Sequence, residues 1–151
     1  MNEADPDAVI AVARRWLGTP YHDQASLRGV GCDCLGLARG VWRDLVGAEL
    51  QAIPPYSRDW GETGVREVLA EGARTMMIEM PIADIGPGTL VLFRMAPRAI
   101  AKHVGILTVD DSFIHAYDRI GVIEEALTTA WSRRIAFAFR FPAANPLSEK
   151  T

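Results

Sequence analysis

The second half of the sequence is a series of short segments with the composition of β-strands. Five such segments follow Gly86-Pro87-Gly88 at close intervals, and turn residues such as Asp110-Asp111 separate them. The segments read TLVLF, HVGILTV, SFIHAY, GVIEE and IAFAFRF, and each is rich in β-branched and aromatic residues. Strands joined by such short turns pair with their neighbours along the chain, so we predict an antiparallel meander.

The first half has helical periodicity instead. Asp5 and Pro6 are the residue types of a helix N-cap and first turn, and apolar residues recur at helical spacing as far as Leu17. A second helix is predicted to begin directly after Asp33, and a short third helix includes Val68. Helices that precede a meander indicate an α+β domain, in which the helices pack on one face of the antiparallel sheet.

Two glycines, Gly36 and Gly40, lie inside the second predicted helix. Each destabilises an isolated helix by about 1 kcal/mol relative to alanine. We therefore expect this helix to be pressed closely against another backbone.

The 151 residues are enough for one hydrophobic core, so we predict a single domain over residues 1–151. A loop is expected over residues 51–63, which contain two prolines and Trp60. Trp60 either lines a cleft or anchors this loop. Residues 144–151 are expected to form a flexible tail.

The charge and the apolar pattern of the chain argue against several classes of partner. The formal net charge is -3, the sequence pI is about 5.6, and the basic residues are scattered, which is atypical of nucleic-acid binding. The first residues are acidic, unlike those of a signal peptide, and no stretch reaches about 18 apolar residues. We expect synthesis in the cytoplasm without a signal peptide, no membrane insertion and no nucleic-acid partner.

Both cysteines lie in the stretch RGVGCDCLGLARGVW, with one residue between them. A disulfide between Cys32 and Cys34 would close a small, strained ring, so both thiols are expected to be reduced. Cys34 follows the predicted N-cap Asp33, where the unpaired amides and the dipole of a helix favour a thiolate. This position alone is expected to activate Cys34, whereas Cys32 lies in the preceding loop and is interpreted as a core residue.

A nucleophilic cysteine requires a general base, and the chain contains three histidines. His103 begins one predicted strand and His115 lies in the next, so a hairpin brings them together, one as the base and the other holding its tautomer. His22 belongs either to the surface or to a substrate cleft. The alternative is a zinc site of both cysteines and these two strand histidines, although a single intervening residue is poor spacing for structural zinc.

The motifs GTPY, GCDCLGL, PGTLVLF, KHVGIL and FIHA occur in this order along the chain. Together they resemble the successive motifs of the NlpC-type cysteine peptidases, papain-like enzymes that cut bacterial peptidoglycan. The segment AFRFP, residues 138–142, is similar to the ending of a subgroup of cell-wall peptidases from phages and gene-transfer-agent particles. The resemblance extends from GTPY to Pro142 and implies a papain-like NlpC-type fold.

The resemblance also implies roles for individual residues. Cys34 matches the family's nucleophile, His103 its base and His115 its third polar residue. Tyr21 matches a tyrosine whose hydroxyl helps to stabilise the oxyanion. Asp33 matches an acidic residue that contacts the free amine of the substrate as well as capping the helix.

Two departures from the family's pattern lie outside this triad. HDQA follows Tyr21 where many relatives have a glycine pair, which puts the substrate-contacting loop, including His22, in question. Thr89 stands where the family has an aspartate, and this affects only the start of a strand.

The function implied by the resemblance is that of a cysteine peptidase that hydrolyses peptidoglycan stem peptides between γ-D-glutamate and the diamino acid, without a metal or organic cofactor. The subgroup implies phage-tail-like particle proteins as partners and action in the cell wall. Two alternatives stay open: an amidase or acyltransferase with the same Cys-His-His triad, and a catalytically silent component of particle assembly.

Overall fold

The structure is a computed structural model that describes residues 2–49 and 66–144. Its helices are α1 (Pro6–Arg14), α2 (Cys34–Leu45), α3 (Val68–Met76) and α4 (Thr129–Ser132). Its strands are β1 (Ser26–Leu27), β2 (Gly31–Cys32), β3 (Ile78–Met80), β4 (Thr89–Phe93), β5 (His103–Leu107), β6 (Ser112–Tyr117), β7 (Gly121–Ala126) and β8 (Ile135–Arg140). The predicted α+β class is confirmed.

The main sheet has six antiparallel strands in the order β3-β8-β4-β5-β6-β7, and β1 and β2 form a separate small hairpin. Strands β4 to β7 form the predicted meander. The last strand does not continue it, because β8 returns across the sheet and pairs between β3 and β4. Strands β1, β2 and β3 have only two or three residues each, too few for a period of two to be recognised in the sequence.

The first helix begins with Asp5 as its N-cap, as predicted. It ends at Arg14, earlier than the predicted end at Leu17, because the next backbone amides bond to carbonyl groups three rather than four residues back. This tighter turn places the Trp16 ring in the core. It closes at Gly18, whose φ of 85° is a conformation that glycine adopts without strain.

Both faces of the sheet are buried. The helices α1 and α2 pack on one face, where Leu37 of α2 and Ile106 of β5 belong to the same core cluster. A second cluster covers the opposite face and contains Phe93, Phe113 and Trp131, the last from α4. Burial on both faces explains why the central strand segments are apolar almost throughout instead of alternating.

The two glycines of α2 mark close approaches, as expected. A Cβ on Gly36 would lie 1.8 Å from the backbone carbonyl oxygen of Ala25. A Cβ on Gly40 would lie 2.0 Å from the Trp16 ring. The expectation of a neighbouring backbone is therefore right for Gly36 and wrong for Gly40, where an indole ring fills the space.

Part of the sequence-based description falls outside the described residues. This applies to the predicted loop at residues 51–63 with Trp60, and to the predicted tail apart from Ala144. Among the described helices, none combines the length and the apolar composition that crossing a bilayer requires.

Candidate active site

The Asp33 carboxylate positions the start of α2 and therefore the candidate nucleophile. Its Oδ1 accepts a hydrogen bond from the Gly36 amide at 2.7 Å, which confirms the predicted N-cap. Its Oδ2 accepts from the Gln24 amide, also at 2.7 Å, and the residue is only 4% exposed. One buried carboxylate thus joins the helix start to the preceding loop, and Cys34 is the first residue of the helix.

The Cys34 thiol lies against the backbone at the start of β5. Its Sγ donates to the Lys102 carbonyl oxygen at 3.5 Å. The Val104 amide favours the charged sulfur by a backbone hydrogen bond. These two residues flank His103 in the sequence. The structure therefore brings the predicted nucleophile to the strand that carries the predicted base.

The two strand histidines are joined by a hydrogen bond. His103 Nε2 lies 2.8 Å from His115 Nδ1. The hairpin between them turns where predicted, with Asp110 and Asp111 both in the left-handed conformation. In the register of β5 and β6 the histidines occupy diagonal positions on one face of the sheet.

A carboxylate that sequence reasoning missed, Glu125, extends this pair to a chain of three groups. His115 Nε2 lies 2.6 Å from Glu125 Oε2. In the register of β6 and β7, Glu125 is opposite Phe113, and it therefore lies on the same face as His115. In the sequence, two adjacent carboxylates, Glu124 and Glu125, were candidates for this contact. A slip of one residue in the strand register would exchange their faces, so the sequence could not show which of them faces His115.

Three aromatic rings from two elements surround the histidines. The Trp131 ring of α4 stacks on His103, with ring centroids 5.6 Å apart and an interplanar angle of 30°. Phe113 and Tyr117 contact His115, with centroids 4.4 Å and 5.2 Å away. These contacts restrict the ring orientations that the hydrogen bonds require. None of these three aromatic residues could be placed in the site from the sequence.

Gly105 provides the space for this packing. It lies two residues after His103, on the same face of β5. A Cβ at this position would lie 2.8 Å from the Phe93 ring and 2.9 Å from the Phe113 ring. The absence of a side chain therefore lets both rings pack directly beneath the histidines.

The Cys34 thiol and the His103 ring are both uncharged near neutral pH. Burial and the neighbouring Asp33 raise the pKa of Cys34 to about 12, although nearby backbone amides oppose this shift. Burial, followed by the electrostatic interaction with the neighbouring His115 ring, lowers the pKa of His103 to about 3. The expectation that the helix start alone activates Cys34 is therefore wrong, because burial outweighs the effect of the helix terminus.

Tyr21 lies close enough to the thiol for their charges to interact. Its backbone bridges to Cys32 of β2, and its side chain is partly buried beside the first core cluster. Burial raises the pKa of the Tyr21 phenol, and negative charge on Cys34 and Asp33 raises it further. The hydroxyl therefore keeps its proton and can donate it in a hydrogen bond to a developing oxyanion.

The remaining candidates occupy different environments. Cys32 is completely buried and belongs to the core, in strand β2 rather than in a loop, and burial raises its thiol pKa to about 12. His22 is exposed, with its Nδ1 3.2 Å from the Asp23 carbonyl oxygen. The structure does not bring His22 into the hydrogen-bonded chain, so its substrate contact stays a prediction. Within residues 2–49 and 66–144, no three His, Cys, Asp or Glu side chains are grouped to hold a metal ion.

Alkylation of the thiols tests the description of the resting site. With iodoacetamide we expect Cys34 to react faster than the buried Cys32 at every pH, and its rate to rise roughly tenfold per pH unit from pH 6 to beyond pH 9. The rise follows from the raised thiol pKa, since the thiolate fraction keeps growing below about pH 12. Peptide mass spectrometry measures both rates. A plateau near neutral pH would instead indicate a preformed thiolate.

Comparison with known proteins identifies relatives of this chain. The sequence model of the NlpC/P60 family matches residues 18–140, a range that includes all of the candidate site residues. The chain is also 28% identical over 120 residues to a probable endopeptidase of Haemophilus influenzae. This match covers 78% of the chain and 63% of the relative, so the chain spans less than two thirds of that protein.

Similar folds occur among solved structures. The NlpC/p60 domain of the peptidoglycan hydrolase SagA superposes with a TM-score of 0.58 at 20% identity, over 89% of this chain and 97% of that one. An NlpC/P60 family protein from Bacillus cereus has a TM-score of 0.65 at 22% identity, over 92% and 41%. The peptidoglycan hydrolase RipB from Mycobacterium tuberculosis has a TM-score of 0.58 at 21% identity, over 91% and 64%. At sequence identities this low, the structural similarity shows a shared fold and nothing further.

Proposed function

The chain belongs to the NlpC/P60 family, whose members are cysteine peptidases, and from this premise we propose that it hydrolyses an amide bond in the stem peptides of peptidoglycan. The observation that carries the proposal is the hydrogen-bonded chain His103–His115–Glu125, which begins on the strand that the Cys34 thiol contacts. A nucleophile, a base and an orienting group in this order are what acyl transfer through a thioester requires.

The geometry supports a sequence of proton transfers for this reaction. His103 accepts the Cys34 proton as the sulfur attacks the scissile carbonyl, and the resulting imidazolium then protonates the leaving amine. A water molecule next attacks the thioester, with His103 as its base, and restores the thiol. His115 holds the His103 ring throughout by the 2.8 Å hydrogen bond.

The oxyanion of the tetrahedral intermediate has two sets of donors nearby. The backbone amides of Cys34 and Leu35, at the start of α2, already favour negative charge on the sulfur. The Tyr21 hydroxyl, kept protonated by burial, is the second donor. Donors fixed by a helix terminus and a core-packed ring require little reorganisation during the reaction.

The bond that we propose to be cut lies in the stem peptide. The support for this bond is the match of Tyr21, Asp33 and Cys34 to the family's motifs, from which we infer cleavage between γ-D-glutamate and the diamino acid. Such a substrate has a free amine, and Asp33 is the nearby carboxylate proposed to contact it. The Gln24 and Gly36 backbone amides each donate to one of its carboxylate oxygens, and these two hydrogen bonds fix the orientation of the carboxylate. His22, exposed beside Tyr21, is the other proposed contact.

Digestion of purified sacculi tests the reaction and the bond together. We expect the protein to release fragments that have gained one water, with the diamino acid as their new amino terminus, and we expect the Cys34→Ala variant to release none. Mass spectrometry of the products identifies them. Products joined to an added amine without gain of water would indicate an acyltransferase, and the absence of any product would favour a silent assembly component.

The proposed setting is a phage-tail-like particle that presents the protein to the cell wall. Its support is the similarity of the segment AFRFP to the phage and gene-transfer-agent subgroup. Proteomics of purified particles tests this part. We expect the protein among the tail components of intact particles, and its presence in lysates but not in particles would replace delivery by the tail with release at lysis.

A further inference from the structure

We propose that Glu125 is a positioning residue that sets the tautomers of both histidines, so that His103 Nδ1 carries no proton and can accept that of Cys34. The proposal deepens the proposed function, and its effect on turnover rests on that function. Its effect on the histidine tautomers does not, because those can be measured without substrate.

The contact between Glu125 and His115 fixes the tautomer of the His115 ring. A carboxylate only accepts hydrogen bonds, so His115 Nε2 carries the hydrogen in this 2.6 Å contact. Burial lowers the pKa of His115, although Glu125 offsets part of this shift. The ring is therefore neutral and has one proton for its two nitrogens, which leaves Nδ1 as an acceptor.

The tautomer of His115 in turn fixes the tautomer of His103. Because His115 Nδ1 accepts, the proton in the 2.8 Å contact belongs to His103 Nε2. His103 is also neutral, since burial lowers its pKa to about 3. Its Nδ1 is therefore bare, and Cys34 Sγ lies against the backbone next to this residue, at the Lys102 carbonyl oxygen.

The proton balance of the activated state follows from this arrangement. The S–H bond of Cys34 breaks, its electron pair stays on the sulfur, and its proton forms a new bond with His103 Nδ1. The imidazolium donates from Nε2 to neutral His115, which donates in turn to the Glu125 carboxylate. No proton leaves His115 or reaches Glu125, so the carboxylate stabilises the cation from two hydrogen bonds away.

Glu124 provides a matched control on the same strand. It lies on the opposite face of β7, where it forms a bidentate pair with Arg14 of α1 and accepts from the Thr108 hydroxyl at 2.8 Å. Replacing Glu124 removes a carboxylate and an ion pair from β7. Neither of these groups contacts His103 or His115. A difference between Glu124→Gln and Glu125→Gln therefore reports the contact with His115 rather than the loss of charge from β7.

The tautomers can be measured by two-bond ¹⁵N–¹H correlation spectra of the histidine rings at neutral pH. We expect protonation at Nε2 of both His103 and His115 in the unmodified protein and in Glu124→Gln. In Glu125→Gln the amide can donate as well as accept, so a population of His115 protonated at Nδ1 is expected. A His115 that is protonated at Nδ1 in the unmodified protein would overturn the proposal without any variant.

Turnover provides the second readout. We expect Glu125→Gln to lower kcat at least about tenfold with KM unchanged, because part of the enzyme then holds His103 in the wrong tautomer. Glu124→Gln is expected to change kcat less than twofold. Equal losses in the two variants, unchanged kcat in Glu125→Gln, or unchanged tautomers in that variant would each overturn the proposal. If the unmodified protein cuts no sacculi, the proposed function fails, and the spectra still decide the role of Glu125.

Discussion

Replacing Cys34 with alanine is expected to lower kcat/KM for stem-peptide cleavage by at least about 10⁴-fold, the range typical for loss of a catalytic nucleophile. The reason is chemical, since no thioester can form without Sγ. The fold is expected to survive, because the side chain is only partly buried and its thiol donates a weak hydrogen bond, to the Lys102 carbonyl oxygen. Muropeptide release and thermal unfolding measure the two effects separately.

The matched control for this prediction is Cys32→Ala. Cys32 is completely buried in the core, so its loss is expected to lower stability by about 1 kcal/mol and to leave most of the turnover. Alanine is a better control than serine, whose hydroxyl would be buried among apolar neighbours. Full activity of Cys34→Ala, or loss of activity only in Cys32→Ala, would contradict the assignment of the nucleophile.

The largest effect on stability is expected from Gly36→Ala. The new Cβ would lie 1.8 Å from the Ala25 carbonyl oxygen and 3.0 Å from Asp33 Oδ1. Because the first of these is a backbone atom, no side-chain rotation relieves the overlap, and the start of α2 must move away from the loop. We expect a loss of roughly 3 kcal/mol, or about 6–12 °C in Tm for a domain of this size. Turnover should fall as well, because Cys34 moves with the helix start.

Gly72→Ala in α3 is the control for this variant, because a Cβ at Gly72 would meet no atom within 4 Å apart from its chain neighbours and the backbone of its own helix. There the same substitution is expected to raise stability by about 0.5–1 kcal/mol, since alanine favours the helix more than glycine does. Calorimetry or chemical denaturation of both variants measures the difference. Equal and small effects at the two sites would show that α2 does not approach the Ala25 backbone this closely.

Much of the fold could be predicted because its signals are local. Asp5 and Asp33 cap their helices with their own side chains, and the turn at Asp110-Asp111 has a backbone conformation that aspartate tolerates. The position of β8 between β3 and β4 could not be predicted in this way. Pairing of strands distant in sequence depends on the packing of both faces of the sheet, which the residues of one strand do not encode.

The residues of the candidate site also divide into those that could be predicted from the local sequence and those that could not. Motif order and spacing indicated Cys34, His103 and His115, because helix starts and hairpins bring residues of nearby sequence to predictable places. Glu125 was missed because its contact with His115 depends on the exact register of β6 and β7. Trp131 was missed because α4 has only four residues and shows no helical period.

The sequence by itself determined the elements that carry the candidate site: a helix that begins at Cys34 and a hairpin that holds His103 and His115. Only the tertiary structure decided the state in which they act. Burial raises the pKa of Cys34, and burial among aromatic rings lowers that of His103, because both groups are removed from water. Desolvation depends on everything that surrounds a group in space, whereas capping and hairpin turns depend on a few adjacent residues.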